Sequence, residues 1–493
     1  MQTLSNPTQP YSIKDWQRGY ESQRQEAAYW IENIEGTVPT DLNGTLFRNG
    51  PGLLDIHGQP IQHPFDGDGM VCAFTFDRGR VHFRNRHVRT EGFLKEQQMG
   101  QICYRGVFGT AKPGGWLANA FDFQIKNIAN TNIIYWGDKL LALWEAGQPY
   151  RLDPTTLKTY GIDRLDGILG DKDTFAAHPR IDPHCEMDGG DPCLVNFALD
   201  VGLSTQIRIY EISPQGKLKR KQVQTIPGFA FIHDFAITPH YCIFFQNPIS
   251  FNPLPFALGM RGAGECIRSN PKESTRVVVI PRDPNSGESV RVLEADAGFI
   301  FHHGNAFERD QDTIIMDSIA YPTLQQVDPN QDFREVNFEA LDSGQLWRFT
   351  LNLQSQQVNQ ELLSVRCVEF PTLHPDRVGR NHRYLYLGAA HNQQGNAPLQ
   401  SIFKIDLETR KQQLYSFAPK GFVGEPIFVP KPGSIEEDEG WLLVMVYDAA
   451  QHRSDLVILD AQKIEQGAIA CLHLRYHIPY GLHGSWTPVC FPL

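Results

Sequence analysis

Four histidines in this sequence have the surroundings expected of metal ligands. Each lies among apolar or turn residues near the end of a predicted strand, beside Pro, Asp or Gly: His178, His233, His302 and His483. Imidazole nitrogens bind divalent metals such as zinc, iron, copper and nickel. The alternative for each one is a hydrogen-bonded core histidine or a surface histidine, because most buried polar groups are satisfied by other protein groups.

Three acidic residues also stand alone inside apolar segments: Glu145, Glu369 and Glu425. A buried carboxylate needs a partner. One hypothesis is that each accepts the N–H of a metal-bound imidazole and offsets the charge of the metal. The other is a structural ion pair, for example between Glu369 and the nearby Arg366.

The residue types narrow the kind of metal site without selecting the metal. A ligand set of imidazoles without thiolates argues against an iron–sulfur cluster and a structural zinc site. His302 and His303 are neighbours, and successive residues of a strand point to opposite faces. Only one of this pair can therefore face a shared centre.

The elements that would position these residues are short strands. His178, His233, His302, Glu369, Glu425 and His483 follow one another at intervals of 55 to 69 residues. A propeller blade with its loops takes about 40–50 residues or more, so each residue would fall on the inner strand of a successive blade, facing one axis. A chance distribution explains the intervals equally well.

The rest of the chain also favours β-structure. Short β-branched or aromatic runs alternate with turn residues, as in 44–52 and 383–390, and Gly-Asp-Lys at 137–139 predicts a hairpin turn between two strands. We expect an all-β fold: a disordered tail over residues 1–10 and one propeller domain over 11–493. A capping box at Ser12 and Asp15 predicts an N-terminal helix from Ser12 to about Trp30.

Composition excludes several other classes. The net charge is −11 without a basic cluster, which argues against nucleic-acid binding. The nine cysteines are scattered, and neither a signal peptide nor an apolar run of membrane-spanning length is evident. We expect a monomeric protein with free thiols in the cytoplasm.

Several long phrases resemble those of the carotenoid cleavage oxygenases, from near residue 11 to the last ten residues. Among them are GTLFRNGPGLL (44–54), HPFDGDGM (63–70), YWGDKLLALWEAGQP (135–149), GFAFIHDFAITPHY (228–241) and HIPYGLHGSW (477–486). The resemblance implies a seven-bladed β-propeller with loops and short helices capping one face over a central Fe(II).

The resemblance also implies roles for the candidate residues. The four histidines would be the iron ligands, with His302 rather than His303 in the adjacent pair. The expected carboxylate pairs are Glu145 with His233, Glu369 with His302, and Glu425 with His483, while His178 has none. Thr131 resembles a residue whose methyl group limits access to the iron.

The implied activity is oxidative cleavage, in which O₂ splits a central C=C bond of an apocarotenoid into retinal-type and short dialdehyde products. Intact carotenoids and stilbenes are the alternative substrates within the family. The implied substrate-tunnel residues, for which core packing is the alternative role, are Phe65, Phe108, Trp144, Phe231, Phe301, Tyr321 and Leu399. Outside the family, a propeller hydrolase with another metal or a non-catalytic scaffold would fit the fold, but the first favours carboxylate ligands and the second predicts no histidine cluster.

A membrane surface is the second expected partner, since carotenoids dissolve in bilayers. Residues 242–260 are unusually apolar for a segment containing three prolines. We expect them to form an exposed patch that attaches the protein peripherally to a membrane and admits the substrate. Two buried strands joined by a covered loop are the alternative.

Overall fold

The computed structural model describes residues 10–296, 298–324 and 331–492, and seven of its sheets form the blades of a β-propeller. The strands are given below from the innermost outward. Blade 1 contains Gly484–Thr487, Gly44–Leu53, Asp68–Asp77, Arg80–His87 and Ala27–Trp30. Blade 2 contains Asn132–Trp136, Lys139–Leu143, Tyr150–Leu152 and Thr159–Ile162. Blade 3 contains Arg180–Asp182, Cys193–Val201, Ser204–Ile212 and Leu218–Pro227. Blade 4 contains Ala236–Ile237, Tyr241–Gln246, Thr275–Pro281 and Arg291–Ala295.

The remaining blades follow the same antiparallel order. Blade 5 contains Phe299–Asp310, Thr313–Tyr321, Gln345–Asn352 and Gln357–Ser364. Blade 6 contains Val368–Thr372, Tyr384–Ala390, Leu399–Asp406 and Gln412–Ser416. Blade 7 contains Gly421–Val423 and Ile427–Pro430, then Gly440–Asp448, Arg453–Asp460, Ala468–His473 and Ile34–Gly36. The predicted seven-bladed propeller is therefore confirmed.

Short elements lie in the connections within and between the blades, and one helix precedes blade 1. The α-helices are Ile13–Arg18, Glu91–Met99, Gly115–Asn119 and Pro253–Ala257. The 3₁₀-helices are Pro64–Asp66, Leu165–Gly167, Glu186–Asp188, Gly264–Cys266, Phe338–Ala340, Pro375–Arg377 and Ile464–Gln466. Two small ribbons pair Asp55–Ile56 with Gln59–Pro60, and Ile249–Phe251 with Ile267–Ser269. No helix among the described residues has the length and apolar character needed to cross a bilayer.

The hydrophobic core is divided among the interfaces between neighbouring blades. Each interface has its own cluster of buried aliphatic and aromatic side chains, from the pair of blades 1 and 2 round to the pair of blades 7 and 1. Blades 4 and 5, for example, meet through Ile243, Val279, Ile314 and Phe349. Such face-to-face packing fixes the position of each inner strand relative to its neighbours.

The ring is closed by strands from both ends of the described chain. Gly484–Thr487 pairs with Gly44–Leu53 in blade 1, and Ile34–Gly36 pairs with Ala468–His473 in blade 7. The predicted hairpin is present between Asn132–Trp136 and Lys139–Leu143. Gly137 and Asp138 have φ of 58° and 59°, as a two-residue type I′ turn requires.

The N-terminal prediction is wrong in its extent. The helix covers only Ile13–Arg18, and the Ser12 side chain makes no capping hydrogen bond. Residues Ala27–Trp30 instead form a strand against Arg80–His87, because pairing at the edge of blade 1 outweighs local helix propensity. The predicted disordered tail lies outside the described residues, except for Pro10.

Candidate metal centre and substrate cavity

The inner strands bring the regularly spaced polar residues to the propeller axis, one from each of six blades. They lie within these strands or no more than three residues from them: His178 in blade 3, His233 in blade 4, His302 in blade 5, Glu369 in blade 6, Glu425 in blade 7 and His483 in blade 1. Thr131 directly precedes the inner strand of blade 2. Residues that are more than 50 positions apart in sequence thus share one centre.

The four histidines form a buried cluster whose ring nitrogens converge. One nitrogen from each ring lies within 4.8 Å of those of the others. His178 Nε2 and His233 Nε2 are 2.9 Å apart, and the buried His302 Nε2 makes no hydrogen bond within the described ranges. Four converging nitrogen lone pairs in a buried place suit a divalent metal of the type that accepts imidazole. The residues present therefore fit the iron that the resemblance implies.

Three of the histidines are oriented by carboxylates on the side away from the cluster. The pairs are His233 Nδ1 with Glu145 at 2.8 Å, His302 Nδ1 with Glu369 at 2.5 Å, and His483 Nδ1 with Glu425 at 2.9 Å. When Nδ1–H donates to a carboxylate, the Nε2 lone pair faces the centre. No carboxylate in the described chain lies within ion-pair distance of His178.

The carboxylates also change the electrostatics of the rings. Burial lowers the pKa of His178, and the neighbouring imidazoles lower it further, so this ring is neutral. Burial acts in the same direction on His302, but the Glu369 carboxylate outweighs it and raises the pKa. In return, the imidazole of His302 holds the pKa of Glu369 below its usual range despite burial. Glu369 is therefore ionised at neutral pH.

Each carboxylate contacts a different partner through the oxygen that does not face the histidine. Glu145 lies 3.4 Å from the Thr131 hydroxyl, Glu369 accepts a hydrogen bond of 2.8 Å from the Tyr321 hydroxyl, and Glu425 pairs with Arg48 Nη1 at 2.5 Å. The alternative pair between Arg366 and Glu369 is not formed. Arg366 donates instead to the carbonyl oxygens of Ala390 and His391.

A distortion of the inner strand in blade 6 adds a side chain that sequence reasoning missed. The register shifts between Glu369 and Thr372, and Phe370 has a φ of 56°, an unfavourable value for an aromatic residue. The distortion lets consecutive side chains face the same side. The Phe370 ring centroid lies 5.6 Å from that of His302 and 5.5 Å from that of His483.

The adjacent histidines separate as strand geometry requires. His302 joins the cluster, whereas His303 points to the other face of the strand, where its Nδ1 lies 2.8 Å from the Ser318 hydroxyl and its ring packs on Phe245. Burial lowers the pKa of His303 to about 3. His303 is thus a neutral core histidine.

A cavity of about 450 Å³ opens on the cluster and is mostly apolar. All eight residues that the resemblance assigned to substrate or oxygen access line it: Phe65, Phe108, Thr131, Trp144, Phe231, Phe301, Tyr321 and Leu399. Further lining residues were not predicted: Trp16, Tyr20, Val107, Phe338, Phe422 and Tyr480. Trp16 and Tyr20 are four residues apart, within and just after the helix Ile13–Arg18. This spacing of aromatic residues is the feature of the sequence that could have predicted their place in the cavity wall.

Comparison with known proteins gives matches along almost the whole chain. Residues 20–488 match the family model described as retinal pigment epithelial membrane protein (RPE65). Apocarotenoid-15,15′-oxygenase from Synechocystis sp. is 56% identical over 485 residues, 98% of each chain. Resveratrol cleavage oxygenase 1 from Aspergillus fumigatus is 30% identical over 92% of this chain and 91% of its own.

The fold has equally close counterparts among solved structures. The crystal structure of cobalt-substituted Synechocystis ACO superposes with a TM-score of 0.95 over 97% of this chain and 100% of that one, at 56% identity. Sequence and fold therefore agree over the region that contains all four clustered histidines, and the chain belongs to the RPE65/carotenoid oxygenase family.

Proposed function

We propose that this chain cleaves a central C=C bond of an apocarotenoid with O₂, using Fe(II) held by His178, His233, His302 and His483. The observation that carries the proposal is the aromatic-lined cavity that ends on the four-histidine cluster. The 56% identity to an apocarotenoid-15,15′-oxygenase favours this substrate class over the resveratrol of the 30% identical relative.

The reaction consumes one O₂ and replaces one C=C bond by two C=O bonds, so no net proton transfer is needed. Iron(II), when bound, supplies the electrons and the open coordination site that O₂ requires to react with a polyene. The protein side chains provide the rest by holding the polyene and excluding water. Selectivity then depends on which double bond the cavity places beside the metal.

The aromatic residues near the cluster are suited to that task. The Phe301 ring centroid lies 5.5 Å from that of His233 and 5.9 Å from that of Tyr321, and the Phe65 and Phe108 centroids are 5.5 Å apart. Flat rings at these distances pack against a conjugated chain, and their faces stabilise developing positive charge. Thr131, beside Glu145, limits the space on its side of the metal.

The test is anaerobic purification with Fe(II), metal analysis, and incubation with apo-8′-carotenal in detergent under O₂. We expect one iron per chain, with retinal and the matching dialdehyde identified by mass. His302→Ala should lose both iron and products, whereas His57→Asn, an exposed histidine, should keep both. An iron-loaded protein that cleaves resveratrol but no apocarotenal would overturn the substrate, and a protein without iron would overturn the chemistry.

We also propose a membrane-binding patch next to the cavity. Its most exposed side chains come from two segments: Trp116, Leu117, Phe121, Phe123, Leu254 and Met260. The segments are joined by a hydrogen bond from Phe121 N to Ala257 O and by ring contact between Phe123 and Phe256. An apolar surface of this kind suits contact with lipid.

The exposed apolar surface differs in extent from the predicted segment 242–260. Tyr241–Gln246 is a buried strand of blade 4, so only the later part of 242–260 is exposed. Residues 115–123, which were not predicted, complete the surface. Four residues after Met260 of the patch, Gly264 N donates a hydrogen bond to the carbonyl of Val107, which lines the cavity, so the patch and the cavity are neighbours.

Vesicle sedimentation tests the patch. Replacing Leu117, Phe121 and Leu254 by serine should reduce binding to phosphatidylcholine vesicles severalfold, because each replacement removes an exposed apolar side chain. Leu203→Ser with Ile435→Ser is the matched control, since these residues are also exposed but lie elsewhere. Equal binding by the triple variant and the wild-type chain would contradict the proposal.

A further inference from the structure

Side chains of the types that bind metals also lie close together in blade 7, away from the propeller axis. Three adjacent antiparallel strands contribute them: Ile34–Gly36, Ala468–His473 and Arg453–Asp460. The register places Glu35 opposite Cys471 and Asp455 opposite His473. Because residues 471 and 473 share one face of their strand, all four side chains lie on the same side of the sheet.

The distances between three of these side chains suit a small divalent cation. His473 Nδ1 lies 2.9 Å from Asp455 Oδ1 and 3.7 Å from Cys471 Sγ, and the three ligand atoms are all within 4.8 Å of one another. A tetrahedral zinc ion with ordinary bond lengths separates such ligand pairs by about 3.3 to 3.6 Å. Small shifts of the side chains would therefore form the site.

The hydrogen bonding of His473 is unsatisfactory without a metal. Arg453 Nη2, which is only a donor, lies 2.6 Å from the same Nδ1 that faces the Asp455 carboxylate, which is only an acceptor. Either protonation state of Nδ1 leaves one of these contacts repulsive. Nε2 is buried and makes no hydrogen bond in the described part of the chain, although Glu35 Oε1 lies 3.3 Å away.

The remaining charged neighbours are compatible with a cation. Arg453 also contacts Asp455 Oδ1 at 3.0 Å, but its side chain is partly exposed and can turn outward. Arg475, the next residue on this face, stacks on the Tyr29 ring. The cluster thus contains two carboxylates, one arginine that can turn away, and one thiol whose pKa is raised by burial and by the carboxylates, so that a bound cation would have to displace its proton.

We propose that Cys471, Asp455 and His473 Nδ1 bind Zn²⁺, and that Glu35, 3.3 Å from Nε2, accepts the N–H on the other side of the metal-bound ring. Binding releases the thiol proton of Cys471 to solvent and displaces the Arg453 guanidinium. The site shares no residue with the four-histidine cluster. Since Glu35 belongs to the strand that completes blade 7 from the N-terminal side, its contact with the metal-bound His473 ring would couple metal binding to closure of the propeller.

Cobalt is the probe that separates the two sites. The four-histidine cluster contains no sulfur, so it cannot give a thiolate-to-cobalt charge-transfer band, and a band that disappears in Cys471→Ser is assigned to Cys471. The full chain, stripped with a chelator and titrated with Co²⁺, should bind about two ions and develop this band. Cys471→Ser should lose the band and one ion, whereas Cys103→Ser should retain both.

Arg453→Met tests the same site through a variant that should bind the metal more tightly, not more weakly. Removing a positive charge that competes for the site should tighten Co²⁺ binding at Cys471 about tenfold or more. Zn²⁺ should also raise the thermal midpoint of the stripped Cys103→Ser protein more than that of Cys471→Ser. A wild-type chain that fills only the sulfur-free site, or a band that persists in Cys471→Ser, would overturn the proposal.

Discussion

The charged side chains around the four-histidine cluster balance a divalent ion. Neutral imidazoles contribute no charge, and Glu145, Glu369 and Glu425 contribute three negative charges. Arg48, which is buried against Glu425, adds one positive charge. The sum is −2, which matches Fe(II), and it is consistent with a single Lys or Arg partner for the three carboxylates among the described residues. Removing the charge of one of these carboxylates should therefore weaken metal binding and also leave the histidine ring less firmly oriented.

Glu369→Gln tests whether the carboxylates balance the charge of the metal. The amide cannot hold His302 through a charged hydrogen bond, and one compensating charge is lost. We expect the affinity of the stripped protein for Fe(II) or Co²⁺ to fall about 10- to 100-fold. Glu361→Gln, at an exposed carboxylate of the outer strand of blade 5, should leave the affinity unchanged. Equal affinities for both variants would refute the charge argument.

Between the blades, short elements are held by buried ion pairs. Lys126 Nζ lies 2.6 Å from Asp68 and 2.5 Å from Glu96, and all three side chains are almost fully buried. This cluster connects the helix Glu91–Met99 to a strand of blade 1. Burial opposes the charge on Lys126, but the two carboxylates outweigh it and raise the pKa. The lysine is therefore charged, and both acids depend on it.

Lys126→Met should leave two carboxylates buried without a cation. We expect the free energy of unfolding to fall by about 3–5 kcal/mol, as for other buried ion pairs that lose one partner. Urea denaturation followed by tryptophan fluorescence measures this change. Lys158→Met, at an exposed lysine, should shift the free energy of unfolding by less than about 0.5 kcal/mol. A similar small shift for Lys126→Met would show that the cluster is not stabilising.

At the scale of the whole molecule, the metal cluster depends on ring closure. His483 directly precedes the closing strand Gly484–Thr487, and its backbone N–H donates to Thr131 O in blade 2. Beyond that strand, Phe491 O accepts hydrogen bonds from Arg84 and Thr75. The last residues thus support both the first blade and one histidine of the cluster.

Two truncations separate these contributions. A chain that ends at Leu482 lacks His483 and the closing strand, and it should bind no iron at the four-histidine cluster. A chain that ends at Thr487 keeps both, so it should retain iron but unfold at a lower temperature because the Phe491 contacts are lost. Metal analysis and thermal unfolding measure the two effects. Stoichiometric iron in the shorter chain would contradict the dependence on His483.

Much of this protein was predictable from local sequence. Turn chemistry at Gly137 and Asp138 identified a hairpin, and the spacing of the apolar runs that each contain one His or Glu was compatible with inner strands, although chance explained it equally well. The long phrases shared with the family implied the fold and the residues that line the cavity. These features depend on residue type and near neighbours, which a sequence displays directly.

Other features depended on contacts between distant segments. Ala27–Trp30 became a strand only because an edge of blade 1 was available, and Tyr241–Gln246 was buried by neighbouring blades while 115–123 completed the exposed patch. Phe370 faced the cluster because its strand is distorted, and Glu425 acquired Arg48 from another blade. The grouping of Glu35, Asp455, Cys471 and His473 likewise arose from strand register. Such pairings are set by the packing of whole sheets, which couples residues separated by hundreds of positions and leaves no local pattern in the sequence.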